Sequence, residues 1–121
     1  MLNCIAVGIG GFFGSILRYL MGMIPLKGSA EFPVNTLIIN VIGAFAIGVF
    51  ASVLSKNTSI DPRLMQLLKV GFCGGFTTFS TFSSETLALL ASGRWAAAAA
   101  YVLLSVVLGV SAVFLGQYVV R

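Results

Sequence analysis

The sequence predicts an all-α membrane protein: one domain, residues 1–121, with four transmembrane helices, the third broken near the bilayer midplane. Three observations predict it. The chain is 59% hydrophobic and 8% charged, where soluble globular domains carry about 25% charged residues. Its mean hydropathy is +1.08, and its apolar runs of about 20 residues suffice to cross a bilayer. Finally, a stretch of glycines, hydroxyls and phenylalanines, Gly71–Glu85, lies inside one of those runs. Lipid offers no hydrogen bonds, so such a stretch must be covered by protein or water.

The first helix is read from Leu2 to Ile24. It lacks a basic start and runs past the usual signal-peptide length, so it is expected to be retained. Gly8, Gly10, Gly11 and Gly14 include a Gly10-xxx-Gly14 step that permits close helix approach. Arg18, near the far end, can snorkel to the interface. The second helix is read from Val34 to Leu54 and places Thr36, Asn40, Ala44 and Gly48 on one face. An asparagine in hydrocarbon is costly unless paired or wet; Asn40 is either interhelical glue or a pore-lining donor.

The third run, Leu64–Ala91, would be about 42 Å long as an unbroken helix, against a hydrocarbon core of about 30 Å. The Gly74-Gly75 pair is where a break is expected. Leu64–Cys73 rises about 15 Å, which puts that break near the midplane. Released carbonyls there would favour a buried cation. Beyond it come Phe76, Phe79 and Phe82, with Ser80, Thr81, Ser83 and Ser84. The rings serve either packing or recognition, since positive ring edges can face a small anion. Glu85 is a functional candidate as an acid at membrane depth, or it pairs with Arg18 or Arg94 at a helix end. The fourth helix, from Trp95 to Val120, sets Tyr101, Ser105 and Gly109 at i+4 steps. That face is either a narrow polar lane or a packing seam.

The connections Pro25–Pro33, Ser55–Arg63 and Ser92–Arg94 are short and leave no room for a soluble domain. Cys4 and Cys73 lie in apolar runs and read as small buried hydrophobes. With no histidine and no cysteine pair at ligand spacing, a zinc or haem site is not expected. The basic residues are scattered, without the patch a nucleic-acid partner needs. With four spans, Lys56, Arg63, Lys69 and Arg121 fall on one side and Arg18, Lys27 and Arg94 on the other. Orientation follows the bias between sides, and this balance points to insertion both ways up and an antiparallel homodimer, or else arises by chance.

Three stretches resemble the CrcB/Fluc family of fluoride channels: Gly10–Tyr19, Thr36–Gly43 and the Gly71–Phe82 run, the last being the most specific. The resemblance covers nearly the whole chain. Asn35 departs from it, standing where the family commonly has glycine, at the entry of the second helix.

The resemblance implies a channel rather than an enzyme. The channel would release cytoplasmic fluoride passively across the inner membrane of a prokaryote, as a multi-pass protein that protects against fluoride toxicity. It implies a dual-topology homodimer with two antiparallel pores. It also implies a structural sodium ion at the dimer centre, placed here on Gly74 and Thr77. The implied pore residues are Asn40, Phe79 and Phe82, the hydroxyls of Ser80, Thr81 and Ser83, and Tyr101 and Ser105, with Arg18 shaping a vestibule. The alternative is a small multidrug-resistance-type proton-coupled transporter, also a four-helix chain. Its mechanism requires a glutamate in the first helix, and Leu2–Ile24 contains no acid.

Overall fold

The computed structural model describes residues 1–121 and is entirely helical. Its elements are α1 (Leu2–Gly22), α2 (Val34–Lys56), α3 (Pro62–Met65), a π-helical segment π1 (Gln66–Cys73), α4 (Gly74–Phe76), α5 (Phe79–Ala91) and α6 (Trp95–Val119). Three of them, α1, α2 and α6, are long and apolar enough to cross a membrane. Only 16 of 121 residues are buried within the chain, and large side chains such as Phe12, Phe13, Leu103 and Val110 lie exposed. A surface this apolar marks contact with lipid or with another protein.

Small residues set the packing. α1 lies against π1 so closely that a Cβ on Gly10 would stand 2.1 Å from the Leu67 carbonyl oxygen, and one on Gly14 2.2 Å from that of Phe72. The Gly10-xxx-Gly14 step is thus a bed for the π-helical backbone. α2 and α6 meet through Gly48 and Gly116, each facing a backbone carbonyl of the other helix at 2.3 Å from an added Cβ.

The ends of the elements are locally determined. Asp61 caps α3 by accepting the Arg63 N–H at 2.9 Å, with Pro62 in the first turn, where its missing N–H costs nothing. Asn35 donates its amide to the carbonyls of Met21, Gly22 and Ile24, closing the C-terminal end of α1. Gly93 adopts φ +78, which turns the chain sharply from α5 into α6.

The break falls elsewhere than Gly74-Gly75. Those two residues are helical, and the backbone becomes extended at Thr77 (φ −80, ψ 159) and Thr78 (φ −148, ψ 119). Gly75 is needed for a different reason: a Cβ there would lie 2.8 Å from the Gly11 carbonyl oxygen of α1. Cys73 is buried as expected, whereas Cys4 is exposed on α1; both are free thiols.

Candidate functional site

Between α4 and α5 the helical ladder is interrupted, and Asn40 of α2 repairs it. Its Oδ1 accepts the Thr78 N–H at 2.8 Å, and its Nδ2 donates to the Thr78 carbonyl at 3.1 Å. The side-chain amide therefore substitutes for a missing turn of backbone, and Nδ2 retains a second proton that this pair does not use. Thr78 then starts α5 as its N-cap, its Oγ1 accepting the Thr81 N–H at 3.2 Å. On the other side, Thr77 bonds back to the Cys73 carbonyl through both its N–H and its Oγ1, at 2.9 and 2.8 Å. Arg18 reaches from α1 to donate Nε to the Gly75 carbonyl at 3.0 Å. The Thr77 carbonyl accepts no hydrogen bond from the chain.

Two turns further along α5, Glu85 is held by two hydroxyls. Thr36 Oγ1 donates to Oε1 at 2.7 Å and the Tyr101 hydroxyl donates to Oε2 at 3.2 Å. This pairing replaces the ion pair with Arg18 or Arg94 considered from sequence. Both arginines are committed to neutral carbonyls instead, Arg18 to Gly75 and Arg94 to Glu31. An acid at this depth requires donors, and α2 and α6 each present one.

The rings form a chain behind the carboxylate. Phe82 lies between Phe79 (centroids 5.8 Å, interplanar 39°) and Tyr101 (5.1 Å, 53°). Phe32 meets Tyr101 edge-on at 5.5 Å. Tyr101 is wholly buried, whereas Phe79 is 80% exposed at the surface of the single chain.

Two cavities meet at the break. The larger, about 850 Å³, follows one face of α5 through Ser92, Leu89, Ala88, Glu85, Thr81 and Thr78, and Arg18, Asn35 and Thr36 also line it. Those α5 positions recur at helical spacing over about 20 Å, the length of the helix. The smaller, about 290 Å³, is lined by Asn40, Thr77, Thr78, Phe79, Phe82, Ser105 and Val106. Thr78 belongs to both. Ser105 Oγ, at the small cavity, is buried without a hydrogen-bond partner.

Of the residues singled out from sequence, the structure brings Asn40, Phe79, Phe82 and Ser105 together around the small cavity, and Thr77 with them. It puts Thr81 and Arg18 on the large one. Tyr101 stands behind Phe82. Ser80 and Ser83 line neither cavity: Ser83 Oγ donates to the Phe79 carbonyl at 2.9 Å, and Ser80 Oγ lies 3.4 Å from Thr78 Oγ1. Gly74 is exposed, with nothing within 4 Å of an added Cβ. Sequence reasoning missed Thr78, which an N-cap search would have found, and the Thr36–Glu85–Tyr101 cluster. A rule that every intramembrane acid needs a donor from a neighbouring helix would have pointed to that cluster.

A family model described as CrcB-like protein, Camphor Resistance (CrcB), matches residues 5–117. Curated relatives carry the name fluoride-specific ion channel FluC. One from Roseiflexus sp. (strain RS-1) is 44% identical over 121 residues, covering 99% of this chain and 98% of its own. One from Rhizobium etli is 42% identical over 123 residues, covering 100% and 98%. A third, from Shewanella denitrificans, is 45% identical over 122 residues, covering 99% and 97%.

Proposed function

The chain belongs to the CrcB-like family, and on that premise we propose that it is a fluoride-specific ion channel, a multi-pass membrane protein that releases fluoride passively. The observation that carries this reading is the Asn40–Thr78 junction, where a cavity edged by hydroxyls meets one edged by Phe79, Phe82 and the unpartnered Ser105 hydroxyl. Fluoride is small and tightly hydrated. A pore that conducts it must replace water with amide protons, hydroxyls and positive ring edges, without holding it too tightly to leave. In this assignment Arg18 shapes the vestibule, Thr81, Asn40, Ser105, Phe79 and Phe82 meet the ion, and Tyr101 positions Phe82. Ser80 and Ser83 join the track where a second copy covers the exposed side of α5.

The working unit is an antiparallel homodimer of four-span subunits. The third span is composite, running from α3 through π1 and α4 and across the break into α5. The balanced basic residues and the exposed Phe79 support this arrangement. A structural sodium ion belongs at the dimer centre, held by carbonyl oxygens of Gly74 and Thr77 from each copy. The residues fit it: the Thr77 carbonyl has no partner in the chain, and the surface at Gly74 is open. Bound sodium would supply a fixed positive charge that draws the two breaks together. In a prokaryotic inner membrane such a channel lets fluoride leave the cytoplasm, driven by the membrane potential.

The test is fluoride efflux from liposomes containing the purified protein. Efflux at least tens of times faster than that of chloride is expected, and equal rates for the two anions would overturn the assignment.

A further inference from the structure

The large cavity is lined by four formally charged side chains, Arg18, Glu31, Glu85 and Arg94. Its formal charge is therefore balanced, two against two. The two acids by themselves would repel an entering anion. The two cations are far apart along the cavity. Arg18 sits at the inner end, on the Gly75 carbonyl beside the break. Arg94 sits at the outer end, as the N-cap of α6, and its Nη1 donates to the backbone carbonyl of Glu31. The intervening helix spans about 20 Å, more than two Debye lengths at physiological salt, about 8 Å each. Even unscreened, a unit charge about 20 Å away in water contributes only about 0.2 kcal/mol, so Arg18 offsets Glu31 at the mouth weakly at any salt. Arg94 forms no ion pair within contact distance, so its charge is held in place by a neutral oxygen and remains available to the cavity.

We propose that Arg94 sets the charge of the cavity mouth, and with it the rate at which fluoride enters. The inference rests on the fluoride-channel reading and adds a residue to it. A net negative charge at a cavity mouth lowers the local concentration of anions, an effect that fades with ionic strength. Losing Arg94 leaves Glu31 unopposed, and the mouth changes from neutral to negative. The same arginine also ties the Pro25–Pro33 connection to α6, so a test must separate charge from tether.

The experiment compares initial fluoride efflux from liposomes carrying the full chain as wild type, Arg94→Lys, Arg94→Gln, and Arg94→Gln combined with Glu31→Gln. Glutamine keeps a donor for the Glu31 carbonyl but loses the charge. Glu31→Gln removes the carboxylate and leaves that backbone carbonyl in place. At about 10 mM ionic strength, where the Debye length is about 30 Å, Arg94→Gln should be slower than wild type by about threefold or more. It should converge on wild type near 1 M, where the Debye length is about 3 Å. Arg94→Lys should match wild type, and the double variant should recover. The proposal is overturned by an Arg94→Gln rate equal to wild type at low salt. It is also overturned by a deficit that persists at high salt without rescue by Glu31→Gln, which would make Arg94 a tether only. A wild-type protein that passes no fluoride at any salt would overturn the channel reading itself.

Discussion

At Asn40 one side chain does two things that are usually separate: it satisfies a broken backbone and it faces a cavity. An unsatisfied buried N–H or carbonyl costs about 1–3 kcal/mol, so Asn40→Ala should lower stability by about that much through the orphaned Thr78 groups. Asn40→Asp is the sharper change. It retains an acceptor for the Thr78 N–H but sets a carboxylate oxygen against the Thr78 carbonyl and turns a negative charge toward an anion path. Fluoride efflux should fall at least about tenfold, equivalent to about 1.4 kcal/mol, while the protein still elutes as a dimer on size-exclusion chromatography. Phe82 allows a separate test of ring chemistry. Isoleucine preserves apolar bulk but removes the positive edge. Phe82→Ile and Phe79→Ile should each cut efflux severely in well-folded protein, and near-normal flux in both would reduce these rings to packing. The chemistry of these residues was legible in the sequence because amides and aromatics are rare and conspicuous among aliphatic side chains. The partner of Asn40 was not, because the bond goes to backbone atoms of Thr78, which no side-chain pattern advertises.

At the scale of elements, the third segment shows how a correct signal can be given the wrong cause. Gly74-Gly75 read as a break because glycine is a poor helix former. In the structure the pair stays helical, and α1 is what requires Gly75. A sequence shows that a residue is small but not which backbone presses on it. The interruption at Thr77–Thr78 depends on a side chain from α2 and on the Thr78 hydroxyl, so it is specified partly outside the segment. The apolar runs at α1, α2 and α6 needed no such information, since span length and composition alone delimit them. The close contact of α1 with π1 yields a prediction with a built-in control. A Cβ at Gly14 would meet the Phe72 carbonyl oxygen at 2.2 Å, whereas one at Gly8 meets nothing within 4 Å. Overpacking of this kind typically costs about 1–3 kcal/mol. Gly14→Ala should lower the thermal midpoint and the yield of monodisperse protein, and Gly8→Ala should leave both unchanged. If the two variants behave alike, α1 is not seated on π1 as described.

At the scale of the whole molecule, a single copy leaves parts of the proposed ion path and sodium site uncovered. Phe79, assigned to the ion path, is 80% exposed, Gly74 is open, and the Thr77 carbonyl accepts no hydrogen bond from the chain. In the proposed antiparallel dimer, a second copy related by a two-fold axis in the membrane plane would cover these features, and that arrangement requires subunits of opposite orientation. The charge distribution permits it. Orientation follows the excess of Lys and Arg on one side, and in a four-span chain the seven basic residues divide four to three. Each basic residue near a membrane surface contributes about 1 kcal/mol, so an excess of one sets a bias of only about fivefold. Both orientations should therefore be populated from one gene product. A single cysteine added after Arg121, in a background with Cys4 and Cys73 replaced by alanine, reports the side on which the C-terminus lies. A membrane-impermeant thiol reagent applied to intact cells should label a substantial fraction of the protein, and the remainder should become reactive only after permeabilisation. Complete labelling in one step, or none until the cells are opened, would mean a single orientation and remove the antiparallel dimer. Adding two lysines to the Ser55–Arg63 connection, on the side that already carries four of the seven basic residues, should push the distribution toward one side and, by removing antiparallel partners, lower efflux per molecule of protein. Co-expression with a chain carrying the opposite charge bias should restore it.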